Sequence, residues 1–389
     1  MIPVIAGHRS AASVKRLMNN PSVGAAARIR PATFADYPQI AALSARYGLN
    51  SKNTEEWMHL WRDNPVYVGL PSWTIGWVLE TASEEIVGHI ANIPSHLEFK
   101  GRRLLAASGG GLVVDEHYRS YSFALFSQYC NQFAPDLFLN TSVNANGMPL
   151  HQLFHFLPVP SGAWNRASFW VTNYPNFASR MLMQKQWPLW LTYPTAAAVA
   201  IKDSLRPHVS AKIKSGLELN LRDRFDADFD EFWRSLSDRS SSVLGVRSRE
   251  TLDWHFKYAL QNGTAWIATI TRGKQLLAYA AFLRQDNHEV GLNRMRLVDF
   301  QALDRDPEHL VPMIALALKK CRAQEIHMLE AIGFAPDKQR VLSRIAPHQR
   351  ELPCWLYFYK SNKKDLQLAE QLRDPAAWDP SSFDGDGSL

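Results

Sequence analysis

The sequence has few cysteines and no long apolar run. Its three cysteines, Cys130, Cys321 and Cys354, lie far apart and form no Cys-x-x-Cys pair. We therefore expect neither a disulfide framework nor a cysteine-ligated zinc site, and such sparse cysteines are typical of a reducing compartment. No apolar run approaches the ~18 residues that a membrane-spanning helix needs. These absences predict a protein without a membrane span, located in the cytoplasm.

An excess of charge of one sign is also missing. Lysine and arginine number 43 against 37 acidic residues, which gives a net charge of +6, and no long block of like charges occurs. Because this excess is mild for 389 residues, it does not indicate a nucleic-acid partner. Apolar residues make up 46% and charged residues 21% of the chain, as in a folded globular protein with more than one domain.

The order of predicted elements recurs along the chain. Residues 28–177 give helices, a β-meander, and then a strand, a helix, a strand, a helix and a strand, and residues 223–362 repeat this order. An internal duplication of about 150 residues is the simplest explanation. The predicted fold class is α/β (α+β), with two halves that each contain a mixed, mainly antiparallel central sheet flanked by helices.

Three segments lie outside these halves. Residues 1–27 contain no acidic residue and are predicted to form a flexible extension. Residues 178–222 are punctuated by prolines and predict a helical connector. Residues 363–389 are rich in Asp, Gly, Ser and Pro and predict an exposed, flexible acidic tail. Trp378 and Phe383 are unusual in such a tail, and docking on a partner or on the protein's own cleft is the alternative for them.

Four predicted strands bear on the topology. "EIVGHIANIPSHLEF" and "RLLAASGGGLVVD" each predict one continuous strand of the first meander. "SFWVTNY" is predicted to complete the first half, and "CWLYFYK" to close the second.

Two segments of the first half carry chemistry. "VVDEHYRSYSFALF" predicts a strand, a loop and a helix, with Arg119 in the loop and serines at 120 and 122. "NANGMPLHQLFHF" begins at Asn144 and predicts a short helix that carries His151.

These segments resemble those of the GNAT-type acyl-CoA N-acyltransferases. "RIRPATFADYPQIAAL" is similar to that family's first strand and helix. "VVDEHYRSYSFALF" is similar to its motif V-x-P-x-x-R-G-x-G-x-G/A, and "NANGMPLHQLFHF" to N-x-x-A-x-x-L-Y-x-x-x-G-F. In the second motif Gly147 stands for the alanine, His151 for the tyrosine and His155 for the glycine. The resemblance covers residues 28–175, with a weaker echo over 223–360, and it implies two GNAT-like halves.

The resemblance implies a binding site for acetyl-CoA or another acyl-CoA in the first half. Backbone N–H groups at a helix N-terminus bind a pyrophosphate, and Arg119 adds a positive charge. Ser120 and Ser122 depart from the family's glycines, but their hydroxyls can donate to phosphate oxygens. The resemblance places the asparagine at 144 beside the pantetheine arm. The implied cofactor-binding residues are Val113, Val114, Arg119, Ser120, Tyr121, Ser122, Phe123, Ala124 and Asn144.

His151 matches the tyrosine that protonates the departing thiolate in the family. An imidazole suits proton transfer near neutral pH, and a half-buried packing histidine is the alternative. His151 and His155 also have the i, i+4 spacing of a metal pair, but no third ligand lies nearby in sequence, so no metal is expected.

A general base must deprotonate the attacking amine. His96 and Glu98 on the predicted meander are the candidates that we retain, beside the further alternatives His89 and Asp115. In the second half, Asp304, Asp306 and Glu308 surround Arg305, and this negative charge is hostile to a pyrophosphate. That half is therefore interpreted as a degenerate copy that shapes the acceptor cleft.

The resemblance predicts an enzyme that moves an acyl group, such as acetyl, from coenzyme A to a small amine. The transfer is expected to be direct, without a covalent enzyme intermediate. Tandem halves with one competent loop also resemble enzymes of bacterial cell-surface polysaccharide synthesis, which suggests an amino sugar as acceptor. The alternatives are a FemABX-like aminoacyl transferase and a non-catalytic GNAT-like binding protein.

Overall fold

The computed structural model describes residues 27–49, 52–206, 209–362 and 364–389. The expected flexible extension therefore lies, apart from Ala27, outside the described residues. The strands are β1 (Ala27–Pro31), β2 (Gly76–Thr81), β3 (Ile86–Ala91), β4 (Ile93–Phe99), β5 (Arg102–Ser108), β6 (Val113–Val114), β7 (Leu137–Asn140), β8 (Leu157–Pro158), β9 (Arg166–Val171), β10 (Glu218–Arg222), β11 (Leu244–Gly245), β12 (Ala265–Arg272), β13 (Gln275–Arg284), β14 (Arg294–Ala302), β15 (Met328–Ile332), β16 (His348–Glu351) and β17 (Phe358–Ser361).

Helices connect and cover these strands. The α-helices are α1 (Tyr37–Arg46), α2 (Thr54–Arg62), α3 (Ser122–Cys130), α4 (Met148–Leu153), α5 (Tyr174–Gln184), α6 (Thr192–Ser204), α7 (Asp228–Arg239), α8 (Arg249–Gln261), α9 (Leu310–Ala323), α10 (Pro336–Ile345) and α11 (Leu366–Gln371). Short 3₁₀ helices include Phe34–Asp36, Glu116–Tyr121, Leu189–Leu191, Pro307–His309, Pro375–Ala377, Ser382–Asp384 and Asp386–Ser388. None of the described helices combines the length and the hydropathy that crossing a bilayer requires.

The first compact unit comprises residues 27–59, 72–93 and 109–132. Its four-stranded sheet has the order β1-β2-β3-β6, and α1 and α3 pack on it. Thr33 and Asp36 form a capping box ahead of α1, in which the Asp36 carboxylate accepts a bond from the Thr33 N–H over 2.7 Å. The ring of Tyr37 stacks on that of Trp57 with centroids 4.5 Å apart. The local sequence thus forms the elements that its pattern predicts.

The second unit comprises residues 60–71, 94–108 and 133–389. It contains a seven-stranded sheet, β10-β12-β13-β14-β15-β9-β16, and a six-stranded sheet, β11-β4-β5-β7-β17-β8. Helix α9 buries Leu310, Met313, Ile314 and Ala317 in the core of the larger sheet. These sheets flanked by helices confirm the predicted mixed α/β class.

Two predicted strands are each divided between two sheets. "EIVGHIANIPSHLEF" divides at Asn92 into β3 and β4, and "RLLAASGGGLVVD" divides at residues 109–112 into β5 and β6. Asn92 is fully buried, and its side-chain amide donates to the backbone oxygen of Thr74 over 2.8 Å. The apolar pattern continues through Asn92, so the sequence alone did not reveal this break.

The last strands of the two sequence halves are exchanged. β9, predicted to complete the first half, pairs with β15 and β16 of the seven-stranded sheet. β17, predicted to close the second half, pairs with β7 and β8 of the six-stranded sheet. Both segments are strands as predicted, but their predicted partners are wrong. The apolar alternation of a strand specifies its faces and not its neighbours.

The C-terminal residues differ from the expectation of an exposed tail. Trp378, Phe383 and Asp384 are all buried, and Phe383 packs against the rings of His255 and Phe256. The carboxylate of Asp386 accepts a bond from the backbone N–H of Thr141. The two aromatic residues are therefore part of the core of the second unit, so the prediction of an exposed tail is wrong.

Candidate functional site

The strand that leads to Arg119 lies in the first unit. Val113 and Val114 form β6 and pair with His89 and Gly88 of β3. A Cβ atom on Gly88 would lie 3.0 Å from Leu79 and 3.5 Å from Leu125. Helix α3 therefore packs closely on this sheet, and the start of α3 is fixed relative to β6.

The predicted phosphate loop is a 3₁₀ helix in the structure. Residues Glu116–Tyr121 are wound into it, and Asp115 caps its start by accepting a bond from the His117 N–H. The Glu116 N–H donates to the hydroxyl of Tyr47. The Tyr118 N–H donates to the backbone oxygen of Asp115. The N–H groups of Glu116, His117 and Tyr118 are therefore already bonded within the protein.

Arg119 and the serines lie beyond these bonded groups. Arg119 and Ser120 are exposed, Ser122 is half-buried as the first residue of α3, and no side chain caps that helix. Within residues 27–49, 52–206, 209–362 and 364–389, no ion pair involves Arg119. The Ser122 N–H already donates to the backbone oxygen of Arg119, and the serine hydroxyls and the exposed guanidinium suit an anion that is bound from the side. Tyr121 and Ala124 are half-buried, and Phe123 is 45% exposed.

The further alternatives for the base also lie in the first unit, and both are buried. Burial lowers the pKa of His89 from 6.5 to about 4, so its ring is neutral at pH 7. Asp115 is occupied as the cap of the 3₁₀ helix and lies 3.5 Å from the guanidinium of Arg46.

The motif that begins at Asn144 lies in the second unit and forms helix α4. Asn144 is exposed, and its side-chain oxygen accepts a bond from the Gly147 N–H over 2.8 Å. His155, at the position of the family's glycine, has φ of +60°. The Phe156 N–H bonds the oxygen of His151, and the His155 N–H bonds that of Gln152, which is the pattern of a Schellman motif. The backbone at 155 thus has the conformation that favours glycine.

His151 is buried and hydrogen-bonded at both ring nitrogens. Its Nδ1 lies 2.9 Å from the Gly147 oxygen and therefore donates, so its Nε2 accepts from the side-chain amide of Asn140 at 2.8 Å. The ring also meets that of Phe156 edge-on, with centroids 5.0 Å apart. Burial lowers the pKa of His151. This is the geometry of the packing alternative, and it gives no support to the predicted role as proton donor.

The two candidate bases lie on β4 of the second unit. The carboxylate of Glu98 accepts a bond from Arg103 at 3.0 Å and another from Ser237. His96 is half-buried, and no hydrogen bond to its ring forms in the part of the chain that the structure describes. Burial, and then the charge of Arg103, lower the pKa of His96. Because β5 lies between β4 and β7, the structure does not bring these residues beside His151.

Sequence reasoning missed two buried polar features of the second unit. Asn140, at the end of β7, is 2% exposed and fixes the ring of His151. Arg247 and Asp299 form a bidentate pair at 2.9 Å, and neither side chain is exposed. An asparagine or aspartate within an otherwise apolar strand was the available signal in both cases.

In the second sequence half, β14 takes the place that β6 has in the first half. The C-terminal end of β14 lines a pocket. β14 pairs with β15 only as far as Leu297, and the oxygen of Phe300 beyond this point accepts a bond from Lys338. Lys338 also pairs with Asp379 at 2.7 Å. The pocket has a volume of about 410 Å³, and its lining includes Ser161, Leu236, Phe300, Arg305, Lys338 and Trp378.

One group of side chains has the composition of a metal site. Ligand atoms of Asp304, Asp306 and His309 lie within 4.8 Å of one another. The imidazole of His309 is hydrogen-bonded to Asp304 at 2.9 Å, and Lys214 pairs with Asp306 at 3.5 Å, so all three side chains already have protein partners. The absence of a metal stays a prediction.

No protein-family model matches the chain, and the comparison with curated proteins finds no match. Solved structures match over most of the chain. A GCN5-related N-acetyltransferase from Anabaena variabilis is 10% identical, with 86% of this chain and 73% of that chain covered and a TM-score of 0.51.

Two structures of Saccharomyces cerevisiae N-myristoyltransferase also match. One, with bound myristoyl-CoA, is 13% identical, covers 87% of this chain and 80% of its own, and has a TM-score of 0.56. The other, with bound myristoyl-CoA and inhibitors, is 13% identical, covers 88% and 83%, and has a TM-score of 0.53. At these identities the likeness shows the fold alone, which is GNAT-like.

Proposed function

We propose that the protein is an acyl-CoA-dependent N-acyltransferase that uses acetyl-CoA or a longer acyl-CoA as co-substrate. The observation that carries this proposal is the segment from β6 to α3, where the exposed Arg119 and Ser120 precede a helix that begins at Ser122 and has no side-chain cap. The fold supports it, because similar folds belong to acetyltransferases and to an N-myristoyltransferase that binds myristoyl-CoA.

The pyrophosphate of coenzyme A would be held by side chains more than by backbone N–H groups. The 3₁₀ helix uses its first N–H groups internally, which leaves the Arg119 guanidinium, the hydroxyls of Ser120 and Ser122, and the first turn of α3. We therefore expect a larger share of the affinity to depend on Arg119 than in a glycine-rich loop.

Direct transfer is the proposed mechanism. All three cysteines are buried, and burial raises the pKa of the Cys321 thiol to about 12. A thiol with this pKa is not a nucleophile near neutral pH. The amine would therefore attack the thioester carbonyl itself, and the thiolate of coenzyme A would leave.

Of the three predicted catalytic residues, we propose His96 as the general base. Glu98 is engaged by Arg103 and Ser237, and His151 by Asn140 and Gly147. Since its pKa is lowered, the His96 ring is neutral at pH 7 and can accept a proton. The expected signature is an acid limb in the pH profile of kcat/KM that His96→Ala removes.

Thermal shift and isothermal titration with acetyl-, octanoyl- and myristoyl-CoA test the proposal. Arg119→Ala should weaken binding by at least about tenfold, because a hydrogen bond to a charged group contributes about 1.5–3 kcal/mol. Arg234→Ala, an exposed arginine on α7, is the matched control and should leave binding unchanged. If no acyl-CoA binds, the proposal is wrong, and a non-catalytic binding protein becomes the better reading.

We further propose an amine acceptor, with an amino sugar of a cell-surface polysaccharide precursor as the first class to try. This part rests on the resemblance and on the proposed internal duplication. A panel of amino sugars, peptides and polyamines, assayed for release of free coenzyme A thiol, tests it. Transfer from aminoacyl-tRNA without any use of acyl-CoA would instead favour the hypothesis of a FemABX-like aminoacyl transferase.

A further inference from the structure

Large apolar side chains are concentrated on one exposed stretch of the chain. Fifteen large apolar side chains are exposed among the described residues, and seven of them lie within residues 183–205. We name these seven the connector surface: Met183, Trp187, Leu189, Trp190, Tyr193, Ile201 and Leu205. Such a concentration on one stretch of the chain marks an interaction site, because scattered single residues are the norm.

The connector surface has an ordered scaffold. Helices α5 and α6 pack on each other and are joined through the 3₁₀ helix Leu189–Leu191. The hydroxyl of Tyr174, at the start of α5, lies 3.2 Å from the carboxylate of Asp203 near the end of α6. Ala178, Leu182 and Ala196 are the buried residues of the two helices. Two alanines and one leucine are buried in the pair, while the seven large apolar residues of the connector surface are exposed.

Helix α6 presents an apolar stripe on its outer face. Tyr193, Ala197, Ile201 and Leu205 are four residues apart and all exposed, with Tyr193 76% and Leu205 81% exposed. Residues at this spacing share one helix face. On an ordinary surface helix that stripe faces the core. On α6 the apolar stripe faces solvent, so it is available to a binding partner.

The exposed charge of this region is entirely positive. Lys185, Lys202 and Arg206 are exposed, and Lys185 lies over the ring of Trp187. Asp203 is the one acidic residue of the sequence between 178 and 206. Its side chain is 8% exposed and lies 2.8 Å from His348.

We propose that the connector surface binds an anionic lipid surface, with α6 lying in the headgroup plane. The 13 residues of α6 span about 20 Å, too short to cross a bilayer but suited to lying along it. Tryptophan and tyrosine favour the membrane interface, and lysine and arginine are attracted to anionic headgroups. Residues 1–26 of this chain carry Arg9, Lys15 and Arg16 and no acid, so they do not complement this surface.

Flotation of the full chain with vesicles tests the proposal. Binding to vesicles of mixed phosphatidylcholine and phosphatidylglycerol is expected, with a blue shift of tryptophan emission and weakening by added salt. The double variant Trp190→Ser/Tyr193→Ser should reduce binding about tenfold. Lys185→Ser/Lys202→Ser/Arg206→Ser should reduce it to a similar extent.

Matched controls distinguish binding through the connector surface from non-specific adsorption to vesicles. Phe133→Ser removes an apolar side chain that is 90% exposed elsewhere on the same unit, and Lys274→Ser removes an exposed cation in a hairpin turn. Both controls should bind as the unmodified chain does. Because all substituted side chains are exposed, circular dichroism and melting temperature should stay unchanged in every variant.

Three outcomes would overturn the proposal. One is that the protein does not bind the vesicles. Equal binding to vesicles of phosphatidylcholine alone would overturn it as well, because the anionic headgroups would then contribute nothing to binding. The third is a concentration-dependent dimer in light scattering that Trp190→Ser/Tyr193→Ser converts to a monomer, which would assign the surface to a second copy of the chain.

Discussion

The two sequence halves each contain a strand, a 3₁₀ helix and an α-helix in the same order. In the first these are β6, Glu116–Tyr121 and α3, and in the second β14, Pro307–His309 and α9. Both 3₁₀ helices are capped by an aspartate. Asp115 accepts from the His117 N–H at 3.1 Å, and Asp306 accepts from the Glu308 N–H at 3.0 Å. The backbone design is therefore shared.

The side-chain charges before the two α-helices differ, although both segments contain carboxylates, Asp115 and Glu116 in the first and Asp304, Asp306 and Glu308 in the second. Arg119 is exposed and forms no ion pair with the described residues, whereas Arg305 stands between Asp304 and Asp306 and donates to the backbone oxygen of Arg239. A pyrophosphate would be attracted to the first segment and repelled by the second. The comparison teaches that a fold can keep its backbone order while a few side chains decide which ligand it accepts.

The second segment is also tied to the C-terminal residues. Asp299 of β14 pairs with Arg247 and accepts a bond from Ser381, while Arg247 lies 3.0 Å from Asp384. Asp299→Ala would leave Arg247 buried with one partner fewer, and we expect a loss of about 3–5 kcal/mol in the free energy of unfolding. Urea denaturation measures it. Asp238→Ala, an exposed aspartate on α7, should change stability by no more than about 0.5 kcal/mol, and an equally small effect of Asp299→Ala would refute the structural role.

We expect acid to lower the free energy of unfolding because of His89, which pairs with Val113 of β6. On the equivalent strand β13, alanines occupy the positions opposite Asp299 and Phe300. The pKa of His89 is about 4 in the folded chain against an ordinary value of 6.5. The unfolded chain thus binds more protons between these values, so stability is lost as the pH falls from 6.5 to 4, by about 3 kcal/mol.

Urea denaturation across this pH range compares the chain with His89→Gln. The variant should lose this part of the pH dependence, whatever its stability at pH 7. Parallel curves for the two proteins would show that His89 is not held neutral by burial.

A carboxylate like those before α9 can be introduced at the start of α3. Ser122→Glu places a carboxylate at the start of α3, as Glu308 does before α9, and should weaken acyl-CoA binding at least about tenfold in isothermal titration. Gln128→Glu adds the same charge further along α3 and is the matched control, with unchanged affinity expected. Equal affinities for all three proteins would mean that the pyrophosphate does not lie at this helix start.

The shared cap predicts the smallest effect. Asp115→Ala and Asp306→Ala each remove an acceptor for a first-turn N–H, and each should lower the free energy of unfolding by about 1 kcal/mol. Similar losses in urea denaturation would confirm that the two segments share their backbone design. A loss confined to one of them would break the comparison.

Local patterns predicted most elements. The strand Val113–Val114, the helix that begins at Ser122 and the short helix that carries His151 all form as expected. The glycine-like conformation of His155 also agrees with the resemblance. These features depend on residues a few positions apart, so the sequence contains the whole interaction.

The fate of individual site residues could not be predicted in the same way. His151 was a candidate acid by its place in the motif, but Asn140 from β7 occupies its Nε2. Glu98 was a candidate base, but Ser237 and Arg103 bind it from elsewhere in the chain. Whether a polar side chain is free or engaged depends on neighbours that the fold brings to it, from 5 positions away for Arg103 to 139 positions away for Ser237.

The sequence by itself determined the mixed α/β class, the positions of most helices and strands, and the opposite charges at Arg119 and Asp304. Only the tertiary structure decided that β9 and β17 exchange sheets and that Phe383 and Asp384 are buried. The physical reason is range. Capping and amphipathic periodicity act within a few residues, whereas the pairing of β17 with β7 and the bond from the Thr141 N–H to Asp386 join residues more than two hundred positions apart.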